Sequence, residues 1–204
     1  MRALILAGGE VNDIPQLKNA IESADIIIAA DSGFEHLSNT GVLPDIFIGD
    51  MDSVKVDVRA DNIIKLNVMK DETDTEAAVK LAISKGYDDI VIFGGIGSRA
   101  DHTIANIFLL KMIYESGCNG CVVNENNEIY YFEDEINLSG NIGDIISVIP
   151  IKDLENVYTE GLMYKLNGET LELGKSRGVS NVLTDTKCNI KASDGCALVF
   201  KSKD

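Results

Sequence analysis

Hydrophobic positions in the first 123 residues fall in short unbroken runs rather than in strict alternation. The runs are Ala3–Ala7, Ile26–Ala30, Asp45–Ile48, Ile63–Leu66, Ile90–Phe93 and Cys121–Val123. Between them, Pro15–Ser23, Gly33–Thr40, Asp74–Lys85 and His102–Ser116 carry apolar residues at helical spacing. Continuous Ile/Val/Leu runs separated by helices predict a parallel sheet covered on both faces. Beyond residue 124 the pattern changes. Short segments at Ile129–Phe132, Asp144–Ile149, Leu162–Leu166, Thr170–Leu173, Val179–Leu183, Lys187–Lys191 and Ala197–Lys201 are separated by turns rich in Asn, Gly and Asp, with no helical stretch. Regular short strands of this kind predict an antiparallel sandwich or barrel. The expected organisation is therefore an α/β N-terminal domain with a mostly parallel sheet over residues 1–123, followed by an all-β sandwich domain over residues 124–204.

Composition adds a constraint on partners. The chain has 204 residues, 45% hydrophobic and 25% charged, enough for a substantial core. Its 33 acids against 18 bases give a net charge of −15. Such a surface repels nucleic-acid backbones and anionic lipid. The first apolar run breaks at Gly8-Gly9, too early for a signal peptide, and no later run approaches the roughly 18 residues that cross a bilayer. The expected location is the cytoplasm. Cys118, Cys121, Cys188 and Cys196 are too few for a disulfide framework. Cys118-Asn-Gly-Cys121 has C-x-x-C spacing, yet Asn-Gly is also a natural turn, and the second pair lacks zinc-ribbon spacing. Buried or incidental thiols and a metal or redox role both fit that spacing.

The acids recur at one kind of place. Asp31 follows the second apolar run, Asp50 and Asp52 follow the third, Asp71 and Asp74 follow the fourth, and Asp101 follows the fifth. In a doubly wound sheet these are the carboxyl ends of the strands, where ligands bind. Any one of these aspartates is explained by capping or turn formation, and Thr73-Asp74-Thr75-Glu76 has the capping-box pattern. Their recurrence at four strand ends favours a shared role. Several hard oxygen ligands without His or Cys suit Mg²⁺. Clustered carboxylates repel one another unless a cation compensates them.

The segment Gly94-Gly95-Ile96-Gly97-Ser98-Arg99 supplies a complementary feature. Glycines let backbone amides approach an anion, the following helix N-terminus adds partial positive charge, and Arg99 offers a forked grip on phosphate. Together with Mg²⁺ this describes a nucleotide polyphosphate site. Competing motifs fit less well. Gly95-x-Gly97-x-x-Ala100, with Glu125 as a ribose ligand, formally matches a dinucleotide fingerprint but follows the fifth strand. Leu173-Gly174-Lys175-Ser176 resembles the end of a Walker A loop, but Glu169 stands where that loop needs glycine. Asp50-x-Asp52 resembles the nucleophile loop of haloacid-dehalogenase-type phosphatases and leaves Gly94–His102 unexplained.

Taken in order, Ala30-Asp31-Ser32-Gly33, Pro44–Ser53 with its Gly49-Asp50-Met51-Asp52 centre, Lys70–Ala78, Gly94–His102 with Asn106, and Gly178-Val179-Ser180-Asn181 resemble the thiamine pyrophosphokinase family. The resemblance spans nearly the whole chain. It implies an α/β nucleotide-binding domain and a β-sandwich domain, assembled as a homodimer with active sites between subunits. It also implies transfer of the pyrophosphoryl group of ATP to thiamine, giving thiamine diphosphate and AMP. By the same resemblance Asp50, Asp52 and Asp74 are Mg²⁺ ligands. Asp31, Asp71, Thr73, Gly95, Gly97, Arg99, Asp101 and Asn106 line the ATP and thiamine site, and Ser180 and Asn181 come from the partner's β domain.

Within that frame, Asp101 or Asp71 is the candidate to orient the thiamine hydroxyl or take its proton, beside Arg99. The thiazolium charge of thiamine favours an acidic pocket, and an aromatic ring adds cation–π attraction. The chain has no Trp, so Tyr164 is the alternative platform, although a Tyr in a β domain also serves as core or rim. His102 reads either as a proton shuttle or as local packing at a helix start. His36 and Met69 read as structural. An enzyme using a pterin-type hydroxymethyl acceptor, and a non-catalytic nucleotide or thiamine sensor, are the competing functions.

Overall fold

A computed structural model of the protein describes residues 1–49, 62–65 and 71–203. The chain forms two compact units, Met1–Glu125 and Asn126–Asp204.

In the first unit the described elements run β1 (Arg2–Leu6), α1 (Ile14–Glu22), β2 (Ile26–Ala30), a 3₁₀ helix (Asp31–Asn39), β3 (Ile46–Gly49), β4 (Asn62–Lys65), α2 (Asp74–Ser84), β5 (Asp89–Phe93), α3 (Ala100–Glu115) and β6 (Asn119–Val123). The strands lie in the order β4-β3-β2-β1-β5-β6. Every adjacent pair is parallel, as the unbroken apolar runs predict. Successive strand residues point to opposite faces, and β1, β2 and β3 are apolar on both. On one face Leu4, Leu6 and Phe93 pack with Leu17 of α1 and Leu37 of the 3₁₀ helix. On the strands, Ile5, Ile28, Phe47, Ile90 and Ile92 are also fully buried, and α2 packs against β1, β2, β3 and α3. Phe34 meets Phe47 edge to face, ring centres 6.2 Å apart.

Each fully buried Leu, Ile or Phe is worth about 1.5–3 kcal/mol. Exposed pairs such as Lys152–Asp194 at 2.7 Å contribute about 0–1 kcal/mol. The core therefore sets the rigidity of the sheet. The chain steps outward from β1 to β4 and then returns to the other side of β1 with β5. The order reverses between β1 and β5, which makes the space beyond their carboxyl ends the topological switch point.

The second unit is all β: β7 (Asn127–Phe132), β8 (Glu135–Ser139), β9 (Ile145–Glu160), β10 (Asn167–Leu171), β11 (Asn181–Val182), β12 (Lys187–Lys191) and β13 (Asp194–Ser202). All described pairings are antiparallel. β13 lies between β7 and the first half of β9, while the second half of β9 pairs with β10 and β12, and β12 with β8. Their inner faces close over Phe132, Leu138, Ile146, Val148, Leu154, Val157 and Ile190.

Several sequence expectations differ in detail: β8 has no counterpart among the expected strands, and the strand expected over Val179–Leu183 is reduced to Asn181–Val182. The strand expected over Asp144–Ile149 continues to Glu160. It passes Pro150, which has no N–H to give the ladder, beside the register shifts between Asp194, Cys196 and Ala197. The strand expected over Leu162–Leu166 is a loop with a single bridge from Leu162 to Leu183. The helix expected from Gly33 is 3₁₀ and begins at Asp31. Among the described residues no helix is long and apolar enough to cross a membrane.

Candidate active site

A cleft of about 480 Å³ opens at the switch point. Four segments line it: Gly8-Gly9-Glu10 after β1, Ala30-Asp31-Ser32 after β2, Thr73-Asp74-Thr75 at the start of α2, and Gly95 to Asn106 between β5 and the first turns of α3.

Its floor is main chain. Past the ends of β1 and β5 the two loops continue to bond: Ala7 N–H to Phe93 O at 2.8 Å, Gly9 N–H to Gly94 O at 2.7 Å and Glu10 N–H to Ile96 O at 2.8 Å. Side chains complete the bracing. Asn106 Nδ2 donates to Gly95 O at 3.0 Å. The Thr103 hydroxyl accepts from Gly97 N–H and donates to Gly97 O, both at 3.1 Å. The carbonyls of Gly94, Gly95, Ile96 and Gly97 are thereby engaged in the scaffold. Two glycines make the close packing possible. A Cβ on Gly9 would lie 2.3 Å from Ile96 O, and one on Gly33 would lie 2.0 Å from Leu6 O. Beneath the floor the ring of His36 lies with Nε2 3.2 Å from Ala7 O, and burial lowers its pKa. A neutral ring that donates to this carbonyl accounts for both, and agrees with the structural role expected for His36.

The walls carry the charged groups. Asp31 has φ of 50°, a left-handed conformation uncommon outside glycine but tolerated by aspartate. Such backbone strain, about 1–3 kcal/mol, clusters at functional sites. Thr73 caps α2, its Oγ1 accepting from Glu76 N–H at 3.1 Å. The Glu76 carboxylate pairs with Lys80 at 2.8 Å. Asp74 follows the cap and faces the cleft. Opposite, Arg99 is exposed and grips Asp101, Nη2 to Oδ2 at 2.7 Å and Nε to Oδ1 at 3.2 Å. The guanidinium holds the Asp101 carboxyl down at about 2, and Asp101 raises Arg99 in turn.

The cleft thus gathers Asp31, Thr73, Asp74, Gly95, Gly97, Arg99 and Asn106 from the expected site residues. Asp101 stands beside it through Arg99. Asp71 is exposed in the turn before α2 and is not among the lining residues. Asp50, Asp52 and Met69 lie outside the described residues. Among the described residues no group of three or more His, Cys, Asp or Glu forms a metal site. Of the carboxylates that face the cleft, Asp31 and Asp74 are hard oxygen donors with threonine hydroxyls nearby, and His102 is the single nitrogen-ring donor among lining residues that include no thiol. That donor chemistry fits Mg²⁺ rather than zinc.

In the second unit a smaller cavity of about 170 Å³ is lined by Tyr164 and Asn181, with Leu162, Arg177 and Val179. The Asn181 amide is spent on main chain. Its Oδ1 accepts from Tyr164 N–H at 2.9 Å, and its Nδ2 donates to Tyr164 O at 2.7 Å. This clamp presents Tyr164 with 65% of its surface exposed. Ser180 adopts φ of 59°, its N–H donating to the buried Ser147 Oγ at 3.0 Å.

Gly8, Gly9, Glu10 and Thr103 also line the cleft, although no motif in the sequence marks them as site residues. The available signal was the glycine pair directly after the first apolar run, a position that becomes the switch point only once the strand order is known. Glu125, the ribose ligand of the dinucleotide alternative, accepts from Asn12 Nδ2 at 2.8 Å and is not among the lining residues.

Comparison with known proteins covers both units. Residues 17–122 match the family model described as thiamin pyrophosphokinase, catalytic domain, and residues 133–197 match thiamin pyrophosphokinase, vitamin B1 binding domain. The chain is 30% identical over 210 residues to a thiamine pyrophosphokinase of Bacillus subtilis, covering 98% of each. It superposes on a crystal structure of thiamine pyrophosphokinase from Bacillus subtilis with a TM-score of 0.87 at 26% identity, covering all of both chains. The thiamin pyrophosphokinase of Candida albicans shares the fold at a TM-score of 0.81 and 17% identity, over 99% of this chain and 89% of that one. With both of its models matched, in order and over most of its length, this chain belongs to the thiamin pyrophosphokinase family.

Proposed function

We propose that the protein transfers the pyrophosphoryl group of ATP to the hydroxyl of thiamine, giving thiamine diphosphate and AMP. Family membership over both units supports this reading. The observation that carries it is the cleft at the switch point, with carboxylates on one wall and a glycine-rich loop, a helix start and Arg99 on the other.

In this reaction the thiamine hydroxyl oxygen forms a bond to the β-phosphorus of ATP, and the bond from that phosphorus to the oxygen bridging to the α-phosphate breaks. AMP leaves with the bonding pair, and the hydroxyl proton passes to a base. The glycine loop and Arg99 hold the polyphosphate and stabilise charge that develops on the oxygens as AMP departs. Asp31 and Asp74, with Asp50 and Asp52, are the residues that would hold Mg²⁺, whose chemistry there is to neutralise the phosphate oxygens. The proton acceptor is Asp71 or Asp101. A carboxylate locked to Arg99 is a poor base, so Asp101 serves only once phosphate has drawn Arg99 away.

The acceptor is a flat cation, attracted by the acidic wall and suited to stacking on an exposed aromatic ring. Tyr164, clamped by Asn181, provides such a ring. The reading includes a homodimer in which Ser180 and Asn181 of one copy serve thiamine bound to the other. A Ser180 variant mixed with an Asp74 variant then regains activity in heterodimers; failure of that complementation removes the shared site. The decisive assay follows nucleotide products from ATP and Mg²⁺ with and without thiamine. Thiamine-dependent AMP is the expected result. Formation of ADP, or AMP only with another alcohol, overturns the assignment.

A further inference from the structure

The roles proposed above leave one charged group of the cleft unused. Glu10 lines it, and among the described residues no cation pairs with it. Its N–H is bonded to Ile96 O at 2.8 Å, and a Cβ placed on Gly97 would lie 3.0 Å from Gly9 Cα. The carboxylate thus springs from a main-chain anchor where the loops after β1 and β5 interlock. A carboxylate repels the polyphosphate, so it must serve another part of the bound pair.

The polarity of the cleft decides which part. Asp31 follows β2, across β1 from β5, and Asp74 opens α2, which packs on β1, β2 and β3. A divalent cation and a cationic acceptor are drawn to those carboxylates, and the polyphosphate lies between them and the glycine loop with Arg99. In-line displacement at the β-phosphorus puts acceptor and AMP at opposite ends. AMP then extends toward the edge formed by β1 and β5, where Glu10 stands. Next to the α-phosphate, AMP carries a ribose with two adjacent hydroxyl donors, and a carboxylate with two acceptor oxygens matches them. We infer that Glu10 holds the 2′- and 3′-hydroxyls of the nucleotide ribose and makes the enzyme selective for a ribonucleotide donor, an inference that rests on the pyrophosphokinase reading.

The test measures kcat/KM for AMP formation with ATP, 2′-deoxy-ATP and 3′-deoxy-ATP, in the wild type and in Glu10→Ala, with thiamine and Mg²⁺ present. A hydrogen bond to a charged acceptor sets the scale: the wild type loses about tenfold or more on removal of either hydroxyl, and Glu10→Ala treats the three nucleotides within about twofold. The thiamine KM stays unchanged, and circular dichroism confirms that the variant is folded. A wild type indifferent to the hydroxyls, or a variant that still discriminates, overturns the inference. A raised thiamine KM with the nucleotide ratios intact assigns Glu10 to the acceptor instead. Calorimetric binding of the same nucleotides reports on Glu10 even if no AMP forms. Absence of AMP therefore strikes the pyrophosphokinase reading, while equal affinities strike the role of Glu10.

Discussion

Arg99 reaches two residues along the first turn of α3 and closes a forked ion pair on Asp101, at 2.7 and 3.2 Å. Both side chains are exposed, so the pair opens at little cost and an incoming phosphate can take the guanidinium. In the proposed reaction the pair is the resting state of a group that changes partner when ATP arrives.

Its titration is directly measurable. Arg99 lowers the Asp101 pKa from 3.8 to about 2. A carboxyl depressed in the folded state contributes stability that is present above its unfolded value and is lost as pH falls through its folded value. The window therefore lies between roughly pH 4 and pH 2. Carboxyl NMR of the nucleotide-free protein should find Asp101 titrating near the lower limit, and Arg99→Gln should return it toward an ordinary aspartate. An ordinary midpoint in the wild type would mean that the pair does not persist in solution.

Gly9→Ala tests the floor of the cleft. The added methyl meets Ile96 O at 2.3 Å and Gly94 O at 2.4 Å, both main-chain atoms of a braced loop. Overpacking of this kind costs about 1–3 kcal/mol. The expected result is a lower thermal midpoint together with a fall in nucleotide affinity larger than that fall in stability explains. Unchanged ATP binding would show that the two loops can part without consequence.

Asp74→Asn keeps the shape of the side chain and removes its charge. The cap of α2 belongs to Thr73, so the fold should persist. Turnover should fall by at least about a hundredfold, consistent with loss of one preorganised electrostatic group, and the Mg²⁺ concentration for half-maximal activity should rise. A variant with the wild-type Mg²⁺ dependence would take Asp74 out of the metal set.

Tyr164 and Asn181 separate ring from clamp. Tyr164→Ala should raise the thiamine KM and leave the ATP KM alone. Asn181→Ala, which removes two hydrogen bonds to the Tyr164 main chain, should move the same parameter less. If Asn181→Ala has the larger effect, its amide touches the acceptor directly and the clamp is secondary.

Legibility in the sequence followed the range of the interactions involved. β1, β2, β3 and β5 were readable within a residue or two because a strand buried on both faces must be apolar throughout. The cap of α2 was readable because Thr73 and Glu76 interact across three residues. β8 was not: only Ile136 and Leu138 of Glu135–Ser139 are apolar, and its strand character comes from pairing with β12, some 50 residues away. The same holds for the second half of β9, whose Lys152, Asp153 and Glu155 conceal an inward row of Leu154, Val157 and Thr159. At the site, Asp31, Asp74 and Arg99 announced themselves by charge at strand and helix ends. Gly9 and Glu10 did not, because nothing local says that β5 returns beside β1.

The interlocked loops after β1 and β5 bear on how such a protein tolerates change. Three of the contacts that shape the cleft floor join peptide groups, and every amino acid except proline carries the same N–H and C=O. Mutation can then replace most neighbouring side chains without redrawing the floor, provided the tightest positions stay glycine. The Candida albicans protein shares the fold at 17% identity. Drift in such a lineage is filtered by backbone clearance before it is filtered by chemistry, so the positions least free to vary include ones with no side chain at all.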